Sequence, residues 1–226
     1  MPQNYDTLVL GAGAAGLMTA LTAARRGRRV RVLERSNKPG KKILMSGGGR
    51  CNFTNLHVAP DRFQSANPHF CKSALSRYTQ WDFIELVERH GIDYFEKETV
   101  NGLSGQLFCR QSSKQIVAML LDECDRNGVE VSLDCETAAV TGPGPFRLAT
   151  GEGELFSETL VVATGGLSIP SLGGSSFGYR LAEQFGLGIL PTSAGLAPFT
   201  FSGSLKERFS RIAGVSCEVI AGSDDA

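Results

Sequence analysis

The chain has no excess of either charge, since Lys+Arg and Asp+Glu each total 23 among 226 residues. A neutral balance gives no long-range attraction to nucleic acid or to an anionic membrane, and neither is expected as a partner. No apolar run reaches the length that spans a bilayer, and Met1 to Asp6 is too short and polar for a secretory signal, which points to the cytoplasm. The six cysteines, Cys51, Cys71, Cys109, Cys124, Cys135 and Cys217, include no C-x-x-C pair. None stands at metal-ligand spacing with His57, His69 or His90, so no metal is expected and the thiols are expected to be reduced. With 42% hydrophobic and 20% charged residues the chain can bury a sizeable core, as one large domain or one domain plus part of another.

Against that plain background one stretch carries chemistry. Thr7 to Leu10 is a short apolar run of the kind found inside a parallel sheet, and Ala14 to Arg26 is a helix former with no Gly or Pro until Gly27. Between them Gly11, Gly13 and Gly16 stand in G-x-G-x-x-G spacing. Gly11 permits a tight turn, Gly13 lets a diphosphate approach the backbone, and Gly16 lets the helix pack closely on the strand. The unpaired N–H groups at the helix start then face an anion along the positive end of the dipole. Val30 to Leu33 is the second strand. Glu34 ends it, placed where a carboxylate accepts hydrogen bonds from both hydroxyls of an adenosine ribose and repels a 2′-phosphate. The basic run Arg25, Arg26, Arg28, Arg29 and Arg31 complements the helix C-terminus and continues on the solvent side of the strand.

The segment after Glu34 reads as a loop with a short helical portion at Lys41 to Met45. Its three consecutive glycines, Gly47 to Gly49, lose much backbone entropy and bury nothing, so a backbone lying against a ligand is the expected reason for them. Arg50, Asn52 and Asn55 stand close enough to hold a diphosphate or a flavin edge. Helices are expected near His69 to Arg77, Asp82 to His90 and Ser113 to Arg126, with strands at Ile92 to Phe95 and Val129 to Leu133 and a turn at Thr99 to Gly105. Three short strands, Glu136 to Val140, Phe146 to Thr150 and Glu154 to Ser157, form an antiparallel meander. An apolar strand, Leu160 to Ala163, follows and ends in Thr164-Gly165-Gly166, where ligands sit in open α/β sheets. A helix near Tyr179 to Phe185 and a strand at Leu187 to Leu190 complete the domain. A second domain is expected to begin near Ala197, with a helix at Leu205 to Ile212 and a strand at Val215 to Ile220. The chain stops at G-S-D-D-A before that domain has a core, so a fragment is expected.

This order of elements resembles the two-dinucleotide-binding-domain flavoproteins. Within that class, G-K-K-I-L-M-S-G-G-G-R-C-N-F-T-N at Gly40 to Asn55 and A-T-G-G-L-S-I-P at Ala163 to Pro170 resemble the aminoacetone-oxidase and BaiN/YhiN-like family of FAD-dependent oxidoreductases. Phe177 to Gly186 is similar to a variant of that family's next helix, in which many members carry Asp in place of Phe177. The resemblance implies an α/β fold: a Rossmann-like FAD-binding domain at 1–196 with a parallel sheet, helices and a three-stranded meander, then the start of a β-rich inserted domain at 197–226. It implies FAD in the first site. Gly11, Gly13, Ala15 and Gly16 would hold the diphosphate and Glu34 the ribose. Lys41 and Lys42 would lie by neighbouring phosphate or ribose groups, and Ser46, Gly47, Gly48, Gly49, Arg50, Cys51 and Asn52 along the cofactor. Thr137 would meet the adenine through its backbone, and Thr164 and Gly165 would flank the diphosphate. The resemblance implies a C-terminal segment that completes the FAD domain and reaches the flavin ring, and this sequence is expected to lack it.

The implied reaction is hydride transfer from NAD(P)H through flavin to a small organic substrate, by reduction of an unsaturated or carbonyl compound; oxidation of an amine with O₂ is the other family reaction. No catalytic acid or base is assigned, because His57, His69 and His90 read as surface or helix-end residues. Cys51 follows a glycine loop as the redox cysteine of disulfide-reductase flavoproteins does, but the partner position, 56, is leucine. Two alternatives stay open: a dehydrogenase with NAD in the Gly11 site, and a non-catalytic flavin- or nucleotide-binding remnant.

Overall fold

A computed structural model describes residues 3–99, 102–169, 173–195, 200–213 and 215. The chain opens with β1 (Gln3–Leu10), twice the expected length, then α1 (Ala14–Ala24) and β2 (Val30–Leu33). β1 and β2 pair in parallel from Thr7 with Val30 to Leu10 with Leu33, as a βαβ crossover requires. A second crossover runs through α5 (Lys114–Arg126) into β6 (Glu130–Ser132), which lies parallel beside β2.

On the other side of β1 the structure differs from the expected pattern. The meander strands β7 (Thr137–Thr141) and β8 (Phe146–Thr150) are followed by one ten-residue strand, β9 (Gly153–Val162), where two separate strands were expected. Its first half pairs antiparallel with β8, and nearly its whole length pairs parallel with β1, from Gln3 with Leu155 to Leu10 with Val162. The meander is thereby welded into the main sheet, in the order β6-β2-β1-β9-β8-β7.

Of the turn expected at Thr99 to Gly105, residue 99 and residues 102–105 are strand and residues 100–101 lie outside the described residues; the loop expected at Asn52 to Asn55 is a strand as well. β3 (Asn52–Asn55), β4 (Tyr94–Thr99) and β5 (Gly102–Cys109) make a separate antiparallel sheet in the order β3-β5-β4. Helices α2 (Lys41–Met45), α3 (Lys72–Arg77), α4 (Gln80–Arg89) and α6 (Phe177–Gln184) lie within a residue or three of expectation. α4 begins before Asp82 because Thr79 and Asp82 close a reciprocal capping box over its first N–H groups. Leu187 to Leu190 is not strand: Leu187 N–H donates to Ala182 O of α6, and the stretch stays exposed.

Two apolar clusters fill the domain. Val30 and Val32 of β2 join Leu17 and Leu21 of α1, Leu120 of α5 and Leu86 of α4 on one face. Leu8, Leu10 and Leu33 join Leu148, Leu155 and Leu181 of α6 on the other. Each fully buried Leu or Val contributes roughly 1.5–3 kcal/mol relative to exposure. Alternation along β2 turns Arg31 toward the second face, where it is 8% exposed, donates to Ser132 Oγ at 2.9 Å and pairs with Glu152. The expectation that it lies on the solvent side is thus corrected: an arginine with charge and hydrogen-bond partners is tolerated in a strand whose neighbours are apolar.

The chain divides into a unit ending at Ile189 and another beginning at Leu190. In the second, α7 (Gly203–Ser210) carries Phe209 stacked on Phe201 with ring centroids 4.5 Å apart. The expected boundary at 196/197 and nearly all of the strand expected at Val215 to Ile220 fall outside the described residues.

Glu123 of α5 ties three helices together. It accepts from His90 Nε2 at 2.8 Å and pairs with Arg25, and these partners, His90 first, hold its carboxyl below the usual range. Replacing Glu123 by Gln is expected to cost about 2 kcal/mol at neutral pH, the worth of a charge-assisted hydrogen bond. Because the folded carboxyl titrates below its unfolded value, this stability is full above about pH 4.3 and is lost as pH falls through the depressed value. The gap in urea midpoint between wild type and E123Q should therefore be widest near neutral pH and close on acidification. A gap independent of pH would contradict this.

Candidate functional site

The carboxyl ends of β2, β1 and β9 converge on a cavity of about 550 Å³. The strands hand over to their loops by further backbone bonds: Gly11 N–H donates to Leu33 O, and Ala163 N–H donates to Leu10 O, both at 2.8 Å. Each of the three motif glycines has a separate physical reason. At Gly11, φ is 102° and a Cβ would stand 2.6 Å from Ala163 O. At Gly16 a Cβ would stand 1.8 Å from Gly11 O, so the first turn of α1 rests on the turn backbone. Gly13 caps α1 without a side-chain hydrogen bond, and a Cβ there would meet no protein atom within 4 Å. Gly13 itself lines the cavity.

Glu34 stands opposite, half-buried. Its Oε2 accepts from Ala12 N–H at 2.9 Å, and its Oε1 accepts from Ser36 N–H at 2.9 Å and Ser36 Oγ at 2.6 Å. A carboxylate has about four acceptor positions, so one remains beside the bifurcation of Ser36, and the group is held in place by the turn it serves. Ser36 escaped the sequence reading, although a hydroxyl two residues after the acid was visible as a local donor. The cavity wall carries Arg35, Lys38, Lys41, Lys42 and Arg180 against two carboxylates, Glu34 and Glu136. A chain with zero net charge thus concentrates cations at one concavity, which suits a polyanion.

The third wall is the loop after β9. Thr164 and Gly165 line the cavity, and Thr164 Oγ1 is buried without a hydrogen-bond partner among the described residues. Lys42 crosses from α2 to this loop, donating to Ser168 Oγ at 3.2 Å with its Nζ against Gly165.

Of the residues expected at the cofactor, Gly11, Gly13, Ala15, Glu34, Lys41, Lys42, Thr137, Thr164 and Gly165 line this cavity. Gly16 supports it from beneath. Ser46, Gly47, Gly48, Gly49, Arg50, Cys51 and Asn52 do not line it; they follow α2 as a turn tied to the small sheet and α5. Ser113 N–H donates to Gly49 O at 2.8 Å, and Cys109 N–H donates to Arg50 O at 2.9 Å. One of the three glycines has a packing reason after all: at Gly47, φ is 57° and a Cβ would stand 2.7 Å from Phe108 Cε1. Gly48 and Gly49, also at positive φ, keep open sides. Burial pushes the Cys51 thiol up, and the neighbouring Cys109 up to about 11. Cys51, Cys71, Cys109, Cys124 and Cys135 are free thiols, and Cys217 lies outside the described residues. No group of His, Cys, Asp and Glu suited to a metal occurs among the described residues.

Gly13 and Gly16 should separate ligand space from packing. Gly16→Ala is expected to lower the melting temperature by several degrees, since its Cβ falls on backbone, whereas Gly13→Ala should leave it nearly unchanged. Equal thermal shifts for the two variants would refute that division.

The family profile described as "HI0933-like protein Rossmann domain" matches residues 5–220. A protein of Escherichia coli (strain K12) named ribosomal RNA dihydrouridine synthase is 52% identical over 218 residues, which cover 95% of this chain and 52% of that one. A Clostridium scindens protein named 3-dehydro-bile acid delta(4,6)-reductase is 28% identical over 211 residues, covering 92% of this chain and 49% of that one. The chain thus spans about half the length of these curated relatives. Among solved structures, glycine oxidase from Geobacillus kaustophilus superposes with a TM-score of 0.54 at 19% identity, covering 82% of this chain and 59% of that one, which is a likeness of fold.

Proposed function

The chain belongs to the HI0933-like Rossmann-domain family, within the FAD-dependent oxidoreductase superfamily, and on that premise we propose that it is the FAD-binding portion of a reductase acting on an activated carbon–carbon double bond. The observation that carries the cofactor assignment is the start of α1 at Gly13, with no side-chain cap and no described atom where a Cβ would stand, in a cavity whose wall carries five cations. A diphosphate there would accept from the free N–H groups of the helix start. The α1 N-terminus and Gly13 hold the diphosphate, and Glu34 accepts from the adenosine ribose. Lys41 and Lys42 offset the phosphate charge, and Thr137 meets the adenine.

FAD, once bound, supplies the exchange of a hydride with NAD(P)H and substrate. The protein's share is orientation of the cofactor and a fixed field around it. The Escherichia coli relative's name specifies dihydrouridine, which is uridine with two hydrogens added across a ring double bond, and the Clostridium relative's name specifies a reductase. We take a uridine of ribosomal RNA as the substrate, in place of the small molecule expected from the sequence. At 52% identity the first relative supports this choice over a bile acid or an amine.

The purified chain is expected to keep a flavin absorbance band through desalting. Glu34→Ala should weaken FAD binding by about tenfold or more, the worth of one charge-assisted hydrogen bond. In cells, deleting the gene should remove a dihydrouridine from ribosomal RNA, read by mass spectrometry, and the wild-type gene should restore it. A colourless protein with no FAD affinity would defeat the cofactor assignment. Unaltered ribosomal RNA would defeat the substrate assignment alone.

A further inference from the structure

The small sheet presents a face that the FAD cavity does not use. Leu107 and Cys109 of β5 point into the core, so strand alternation turns Phe108 to the opposite side. Its register partner on β4 is Phe95, and the two half-buried rings stack with centroids 5.9 Å apart and planes 25° apart. Arg50, at the entrance of β3, places its guanidinium carbon 5.7 Å from the centre of the Phe95 ring. Arg110, at the exit of β5, places its own 5.8 Å from the same ring. The backbones beneath are fixed: Cys109 N–H donates to Arg50 O at 2.9 Å and Arg110 N–H donates to Asp93 O at 2.8 Å.

Two exposed guanidinium groups therefore share one aromatic ring, and among the described residues neither has a carboxylate within 4 Å. The two guanidinium carbons, 5.7 and 5.8 Å from one ring centre, lie no more than about 11.5 Å apart, and a ring holds each group by its plane while leaving its N–H edge free. A polyanion can meet both edges at once. Neither arginine lines the dinucleotide cavity, so its phosphates are not that anion.

Resting on the reading of ribosomal RNA as substrate, we propose that this face anchors the sugar–phosphate backbone of single-stranded RNA, with Arg50 and Arg110 as ligands of two phosphates. Single-stranded RNA is bound by paired elements of this kind, cations for the backbone and aromatic surface for the bases, and half-buried Phe108 extends that surface beside the guanidinium groups. The chain's zero net charge does not oppose this, because the attraction is local and its range is about one Debye length.

The test is fluorescence anisotropy of a labelled oligouridylate with the 226-residue chain over a series of salt concentrations. Wild type should bind with an affinity that falls steeply with salt. R50Q/R110Q should bind about tenfold more weakly, with a log–log salt slope shallower by about 1.4, the loss of two single-strand phosphate contacts at about 0.7 each. R110Q alone should show about half of the slope change, and Arg110→Lys should restore most of it. No oligouridylate binding by wild type, or an unchanged slope in the double variant, overturns the anchor while leaving the dihydrouridine assignment to its own mass-spectrometric test. Competition by millimolar inorganic phosphate alone would mark a small-anion pocket instead. Loss of FAD affinity in the double variant would assign the pair to the cofactor, and either result overturns the proposal.

Discussion

Three backbone segments meet where no side chain fits. The turn at Gly11 lies against Ala163 at the end of β9, and α1 rests on Gly11 through Gly16, so that a single Cβ at either glycine would fall on a carbonyl oxygen. Everything in the cavity follows from that contact. It brings the start of α1 beside the loop at Thr164 and leaves Gly13 as the one motif glycine whose side is open. The long parallel pairing of β1 with β9 holds the two loops in register, and the meander stiffens β9 from its far edge. A sheet of this order sets its loops by strand ends, and loops so set are better ligand platforms than free ones.

Electrostatics then completes what sterics begins. Glu34 is tethered by Ala12 and Ser36, so the carboxylate is oriented before any sugar arrives, which lowers the entropy lost on binding. The surrounding lysines and arginines give the cavity a positive field that the overall composition conceals. The same concealment applies at Phe95, where Arg50 and Arg110 come within 5.7 and 5.8 Å of one ring centre from positions far apart in sequence. Net charge constrains long-range attraction and says little about a local pair.

Much of the α/β frame was legible because it is written locally. Gly11, Gly13 and Gly16, the unbroken helix former after them and the acid at position 34 specify one βαβ unit, and α5 has a clear apolar stripe ended by Asn127-Gly128. The illegible parts depend on partners. Asn52 to Asn55 is too polar to read as a strand, and only pairing with β5 makes it one. Ser157-Glu158-Thr159 breaks the apolar pattern, which suggests two strands, yet Ser157 is 2% exposed inside a continuous β9. Leu187 and Ile189 read as strand residues, but among the described residues no strand pairs with them. At the site, the glycine string at Gly47 to Gly49 was conspicuous in sequence, whereas Arg35, Ser36 and Arg180 were given no role there, and they line the cavity.

The central claim is that this cavity takes an adenine dinucleotide with its ribose on Glu34. Isothermal titration of the flavin-free chain with ADP-ribose and with its 2′-phosphorylated form measures it directly. The account predicts heat of binding for ADP-ribose and a large loss of affinity for the 2′-phosphate, which would meet the Glu34 carboxylate. Equal or tighter binding of the phosphorylated form would contradict it.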